Sequence, residues 1–190
     1  MILYHGSRKA NIDVLEPRIA DHGHPYIYFS TLETVAALYL CNAVDRPYYW
    51  FPYGFRKGQP DVPVYDELYP NALKEVSEGV NGWIYFANLS EQQVLPFHDI
   101  PCARLSVNPV KVDGVLEVPD AYALLREYES QGRLVISRFE DKDKRELEWY
   151  YGAIRNYMRK QKMHLTPDCS YAQFVQKKFS FVWDQFLADN

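Results

Sequence analysis

The chain has 190 residues, which suits one domain or one domain with an appendage. Apolar residues make up 47%, enough for a proper core, while the net charge of −4 leaves no excess of Lys and Arg to displace counterions, so a nucleic-acid partner is not expected. The three cysteines, Cys41, Cys102 and Cys169, are odd in number and far apart, which argues against a disulfide framework or zinc ribbon and for a reducing, cytoplasmic compartment. Met1 leads straight into strand-like Ile2-Leu3-Tyr4, so no signal peptide is expected. No apolar run approaches a membrane span.

In chain order, Ile2 to His5 reads as a strand ending in the turn His5-Gly6-Ser7, where glycine would let a ligand approach the backbone. Ile12 to Pro17 is apolar-interleaved, and Asp21 to Pro25 is a polar loop. Its Asp21-His22-Gly23-His24 has a His-x-His spacing, but without a third placed ligand it reads as a loop, and no metal is expected. Tyr26 to Phe29 forms a short, well-buried strand. Ser30 and Glu33 then have the Ser-x-x-Glu spacing of a capping box. Leu32, Val35, Ala36, Tyr39 and Leu40 follow at helical spacing on one apolar face, so Tyr28 and Tyr39 can meet in one cleft as two walls of a slot for a flat ring. Two core tyrosines would give the same pattern.

Val44 to Pro70, including Tyr48-Tyr49-Trp50-Phe51, has no period and reads as a long structured aromatic loop. Asn71 to Glu78 is a short helix, Trp83 to Ala87 a strand, Gln93 to Leu95 an extended piece, and Leu105 to Val118 one or two strands. Pro119-Asp120 opens a helix that Gly132 stops, and Leu134 to Phe139 returns as a strand. Asp141 to Arg145 reads as a solvated charge run. An amphipathic helix with Leu147, Tyr150, Tyr151, Ile154 and Met158 comes next. A last helix, capped by Ser170 with Gln173, carries Val175, Phe179, Val182, Trp183 and Phe186. The class is α+β, divided into residues 1–140 and a helical extension at 141–190 whose stripes pack on the domain or form a homodimer.

Leu3-Tyr4-His5-Gly6-Ser7-Arg8, then Ile27-Tyr28-Phe29-Ser30, then Ala36-Ala37-Leu38-Tyr39 resembles the ADP-ribosyltransferase superfamily. The nearest branch is the His-Tyr-Glu one, shared by poly(ADP-ribose) polymerases and diphtheria toxin. The resemblance covers residues 2–40 and implies a split β-sheet core that binds NAD as substrate and transfers ADP-ribose with release of nicotinamide. It implies that His5 bonds the adenosine-side ribose, that the backbone at Gly6 holds the nicotinamide amide, and that Tyr28 and Tyr39 clamp the ring. It also implies a later carboxylate that steadies the oxocarbenium-like cation.

Two positions depart from that pattern. Ala36 stands where the polymerases have a serine on the nicotinamide amide, and Ser30 or Ser7 could substitute. The acid expected before Ser106-Val107-Asn108-Pro109-Val110 falls near Ala103, beside Arg104, leaving Glu117, Asp99 and Glu91 as candidates. A catalytically silent nucleotide-binding or interaction module on the same fold is therefore the alternative. An RNA 2′-phosphotransferase relative ranks lower, since only Arg8, Arg18, Arg46 and Arg56 lie near the motifs. The acceptor of ADP-ribose is not legible.

Overall fold

The computed structural model describes residues 1–19, 23–41, 53–97 and 100–189. Strands β1 (Ile2–Ser7), β2 (Val14–Leu15), β3 (Arg18–Ile19) and β4 (Pro25–Ser30) lead into helix α1 (Glu33–Leu38). Then come β5 (Tyr53–Arg56), β6 (Gln59–Asp66), α2 (Ala72–Ser77), β7 (Gly82–Asn88), β8 (Leu95–Pro96), β9 (Ala103–Ser106), β10 (Val110–Lys111) and β11 (Gly114–Val118). Helix α3 (Ala121–Ser130) and β12 (Val135–Ser137) precede three helices, α4 (Lys144–Lys160), α5 (Ser170–Lys178) and α6 (Ser180–Ala188). The chain is thus α+β. Among the described residues no helix is long and apolar enough to cross a membrane.

Contacts divide the chain into two compact units. The first gathers the described parts of Met1–Asn42, Gly54–Val64 and Leu73–Val135. The second gathers those of Ala43–Tyr53, Tyr65–Ala72 and Ile136–Asn190.

In the first unit a sheet runs β11-β7-β1-β4-β9-β8, with β3 also on β4, and every pairing is antiparallel. Leu3, Ile27, Phe29, Tyr85 and Ala87 form its core with Leu15, Leu89, Val94 and Val110. Burying side chains of this size contributes about 1.5–3 kcal/mol each. Helix α1 packs on β1 and α3, so Thr34 to Leu38 are all buried. Helix α3 is set as its sequence foretells. Asp120 accepts from the amides of Ala123 and Gly79, both at 2.9 Å. Gly132, at φ +71°, ends it by letting the Arg133 amide reach the Tyr128 carbonyl at 2.8 Å.

In the second unit Leu68, Tyr69 and Ala72 pack with Ile154, Met158, Val175, Phe179, Val182, Trp183 and Phe186. The expected last helix is two helices, broken at Phe179 (φ −137°, ψ 48°). The ring of Phe179 lies edge-on to Tyr69 and Phe174 at 6.1 and 6.3 Å, and seating it there takes the backbone out of the helix. Cys169, not Ser170, is the cap of α5, with its sulfur accepting from the Ala172 amide. The run Asp141–Arg145 is not wholly solvated. Lys142 is buried, and its ammonium holds Asp66 at 2.9 Å, Glu146 at 3.0 Å and the Ser137 hydroxyl at 2.9 Å. Burial works against that charge, but the hydrogen bonds to Asp66 and Glu146 outweigh it and raise the pKa.

The region expected to be one aperiodic loop also contains regular structure, the strands β5 and β6, joined across Gly58 at φ +80°. Pro60 and Pro63 in β6 had hidden it, since proline lacks a ladder donor. Tyr48-Tyr49-Trp50-Phe51 lies outside the described residues. Glu91 to Gln93 is a short 3-10 turn rather than the start of an extended piece.

Candidate functional site

The site grows from a discontinuity in the sheet. β1 and β4 are neighbours but share a single register pair, Tyr4 with Ser30. On its other edge β1 pairs with β7 along its whole length, from Ile2 to Ser7. His5 bridges the partly unpaired seam, its Nδ1 lying 2.8 Å from the Tyr28 carbonyl oxygen. A carbonyl only accepts, so Nδ1 carries the hydrogen and neutral His5 keeps its free lone pair on Nε2. Burial pushes the imidazole below its usual pKa; the Tyr28 carbonyl opposes this, and the nearby Arg18 guanidinium lowers it further.

Beside this seam lies a cavity of about 300 Å³, lined by His5, Ser7, Tyr26 and Tyr28 and by the segment between β1 and β3. That segment is firmly held. The Tyr85 hydroxyl donates to the Lys9 carbonyl at 2.8 Å, the Val112 amide donates to the Asp13 carbonyl at 2.9 Å, and β2 pairs with β10. Along β4, buried Ile27 and Phe29 alternate with half-buried Tyr26 and Tyr28, whose rings meet edge to face at 6.2 Å. Tyr28 also lies edge-on to Phe97 at 6.4 Å.

The structure therefore brings His5, Ser7 and Tyr28 to one cavity. It places the other named residues differently. Tyr39 is not on the inner face of α1. It follows the last helical residue, is 51% exposed and does not line the cavity. The amides of Leu40 and Cys41 bond the carbonyls three residues back, overwinding the chain so that Leu40 turns inward and Tyr39 outward. Ser30 forms no capping box with Glu33. Its hydroxyl accepts from the Leu32 amide at 2.9 Å, while Glu33 accepts a hydrogen bond from the Tyr128 hydroxyl and faces Arg133 at 3.7 Å.

Gly6 also has a different reason for being glycine. A Cβ there would come 2.1 Å from the Ala36 carbonyl oxygen, so it is helix α1 that approaches the backbone. Ala36 is buried in that contact.

None of the described acid candidates reaches the cavity. Glu117 is exposed on edge strand β11, paired with Trp83, which places β7 between it and β1. Glu91 is exposed in the 3-10 turn, and Asp99 and His22 lie outside the described residues. Ala103 does open β9, directly across from Ser30, so the position expected to hold an acid adjoins the end of β4 and carries only a methyl group. The Arg104 guanidinium beside it donates to the Pro101 and Ala103 carbonyls at 2.7 and 2.8 Å.

Sequence reasoning missed most of the charged lining: Lys9, Asp13 and Glu16 line the cavity together with Arg18, which the sequence had placed only near the motifs. It also missed Tyr26, although the two-residue spacing from Tyr28 was available as a signal. The cavity thus combines two phenol rings, a neutral imidazole acceptor and charges of both signs, a set able to stack a ring and bond phosphates and hydroxyls. No protein-family model, curated protein or solved structure matches the chain.

Proposed function

We propose that the protein binds NAD or a closely related nucleotide in the His5/Tyr28 cavity and transfers ADP-ribose from it with release of nicotinamide. The supporting observation is the His5 Nδ1–Tyr28 carbonyl bond of 2.8 Å, which joins the first two sequence motifs through two residues that line one cavity. In this reading the Nε2 lone pair of His5 accepts from a ribose hydroxyl, and Tyr28 supplies a ring face for the base. The C1′–N bond of the nicotinamide ribose breaks with its electron pair passing to the leaving nicotinamide. The acceptor attacks the resulting cation and gives up a proton.

A second reading, a nucleotide-binding module without transfer, is favoured by Ala103, a methyl group at the strand start where charge stabilisation would be needed. Thermal melting with about 1 mM NAD tests the binding common to both. A dissociation constant near 10 µM would stabilise the protein by roughly 2.7 kcal/mol, and Tyr28→Ala should abolish the shift. Tyr39→Ala should leave it intact. No shift with the wild-type protein overturns both readings. A shift with no nicotinamide released over hours selects the silent module.

A further inference from the structure

The apolar stripes of the last helices, one expected route to a homodimer, are engaged inside the second unit, where Ile154, Met158, Val175, Val182 and Phe186 are fully buried. An open apolar surface lies elsewhere, on β11. Among the described residues this strand ends the seven-stranded sheet, with β7 as its one neighbour. Its five residues run in unbroken register with β7, from Gly114 opposite Phe86 to Val118 opposite Gly82. The outer amides and carbonyls therefore stand at the spacing a further strand requires. Val115 is 51% and Leu116 41% exposed. No proline or lysine interrupts the strand, and Glu117 is its single charge. Such an edge is a template for another strand. The opposite edge is not: β8 has two residues, and the second is Pro96, which lacks the ladder donor.

These features select the occupant. With one such edge on this sheet, two copies that pair through it leave none open, and assembly closes at a two-fold dimer. Antiparallel pairing about an axis at Leu116 sets Leu116 against the partner's Leu116, Val115 against the partner's Glu117, and Gly114 against the partner's Val118. Residues directly opposite share a face and come within about 4.5–5.5 Å, so each leucine covers the other. Glu117 and the partner's Glu117 become diagonal neighbours roughly 7–8 Å apart, about one Debye length at physiological ionic strength. An axis at Glu117 would instead set the two carboxylates face to face.

We infer that β11 is a homodimer interface, through which two copies of this chain join edge to edge, antiparallel, about Leu116. The assignment is independent of what the His5/Tyr28 cavity binds.

Sedimentation equilibrium of the full chain tests it. At about 200 µM, well above the dissociation constant of even a modest interface, the mass should stand near twice 22.3 kDa. Leu116→Lys sets two ammonium groups against each other at the axis and should weaken the dimer at least about tenfold, as should Leu116→Glu with two carboxylates. Leu116 is exposed, and melting of each variant verifies its fold. Because position 116 meets itself across the axis, an equimolar mixture of the Leu116→Lys and Leu116→Glu proteins should recover the dimer. A wild-type protein that remains at 22.3 kDa at about 200 µM overturns the inference. A dimer that tolerates both substitutions also overturns it, because its interface then lies elsewhere, and so does a mixture that stays monomeric.

Discussion

Replacing Gly6 with alanine separates two explanations of the His-Gly-Ser turn. If the glycine serves only to admit a ligand, alanine should impair binding and spare stability. The packing of α1 predicts the opposite emphasis. The new Cβ would stand 2.1 Å from the Ala36 carbonyl oxygen and 3.0 Å from its carbon. That oxygen is backbone and cannot rotate away, so α1 must lift from β1 by about 1 Å. A gap of that size forfeits a quarter to a half of each dispersion contact along the interface. Buried Val35, Ala36 and Leu40 all contribute there, and the cost comes to about 2–4 kcal/mol.

Melting followed by circular dichroism should show a fall of roughly 5–15 °C. Gly152→Ala in the middle of α4, where a Cβ meets nothing within 4 Å, should instead stabilise by about 0.5–1 kcal/mol. A Gly6→Ala protein that melts within 1 °C of wild type, to within roughly the error of such scans, would refute the reasoning. So would equal losses at both glycines.

Two further outcomes follow from the charged groups. Because the folded-state pKa of His5 is lowered, the unfolded chain takes up its proton first as pH falls below about 6.5. Stability should therefore decline through that range and level off below the folded-state value, and His5→Gln should flatten this part of the curve in urea titrations. Lys142→Met removes the buried ammonium but leaves Asp66 and Glu146 partly exposed to water, so the cost should be about 1–3 kcal/mol. Since the pKa of Lys142 is raised, its contribution is present below the unfolded-state value near 10.4 and is lost as pH climbs past the folded-state value. A Lys142→Met protein as stable as wild type, or a wild-type curve flat above pH 10, would count against this account.

Much of the fold follows from local chemistry. The strand at Tyr26–Phe29, the Asp120 cap, the Gly132 stop and the apolar stripe of α4 each depend on residues within a turn or two of one another, so sequence periodicity and propensity determine them. The class, α+β, follows from their alternation. The juxtaposition of His5 and Tyr28 belongs to a different level. Twenty-three positions apart, they meet because β1 and β4 pair through Tyr4 and Ser30 alone, leaving a seam that His5 spans.

The outward turn of Tyr39 depends on three-residue hydrogen bonds that a 3.6-residue period does not foresee. The break at Phe179 depends on aromatic rings from distant segments, and the burial of Lys142 on Asp66, seventy-six residues away. The charged lining was least legible, since Lys9, Asp13, Glu16 and Arg18 look like any polar segment until the sheet curls them around one space. Local sequence thus set where elements form and what caps them. Tertiary structure alone decided which charges and rings share a cavity, because burial and Coulomb energy act through space and not along the chain.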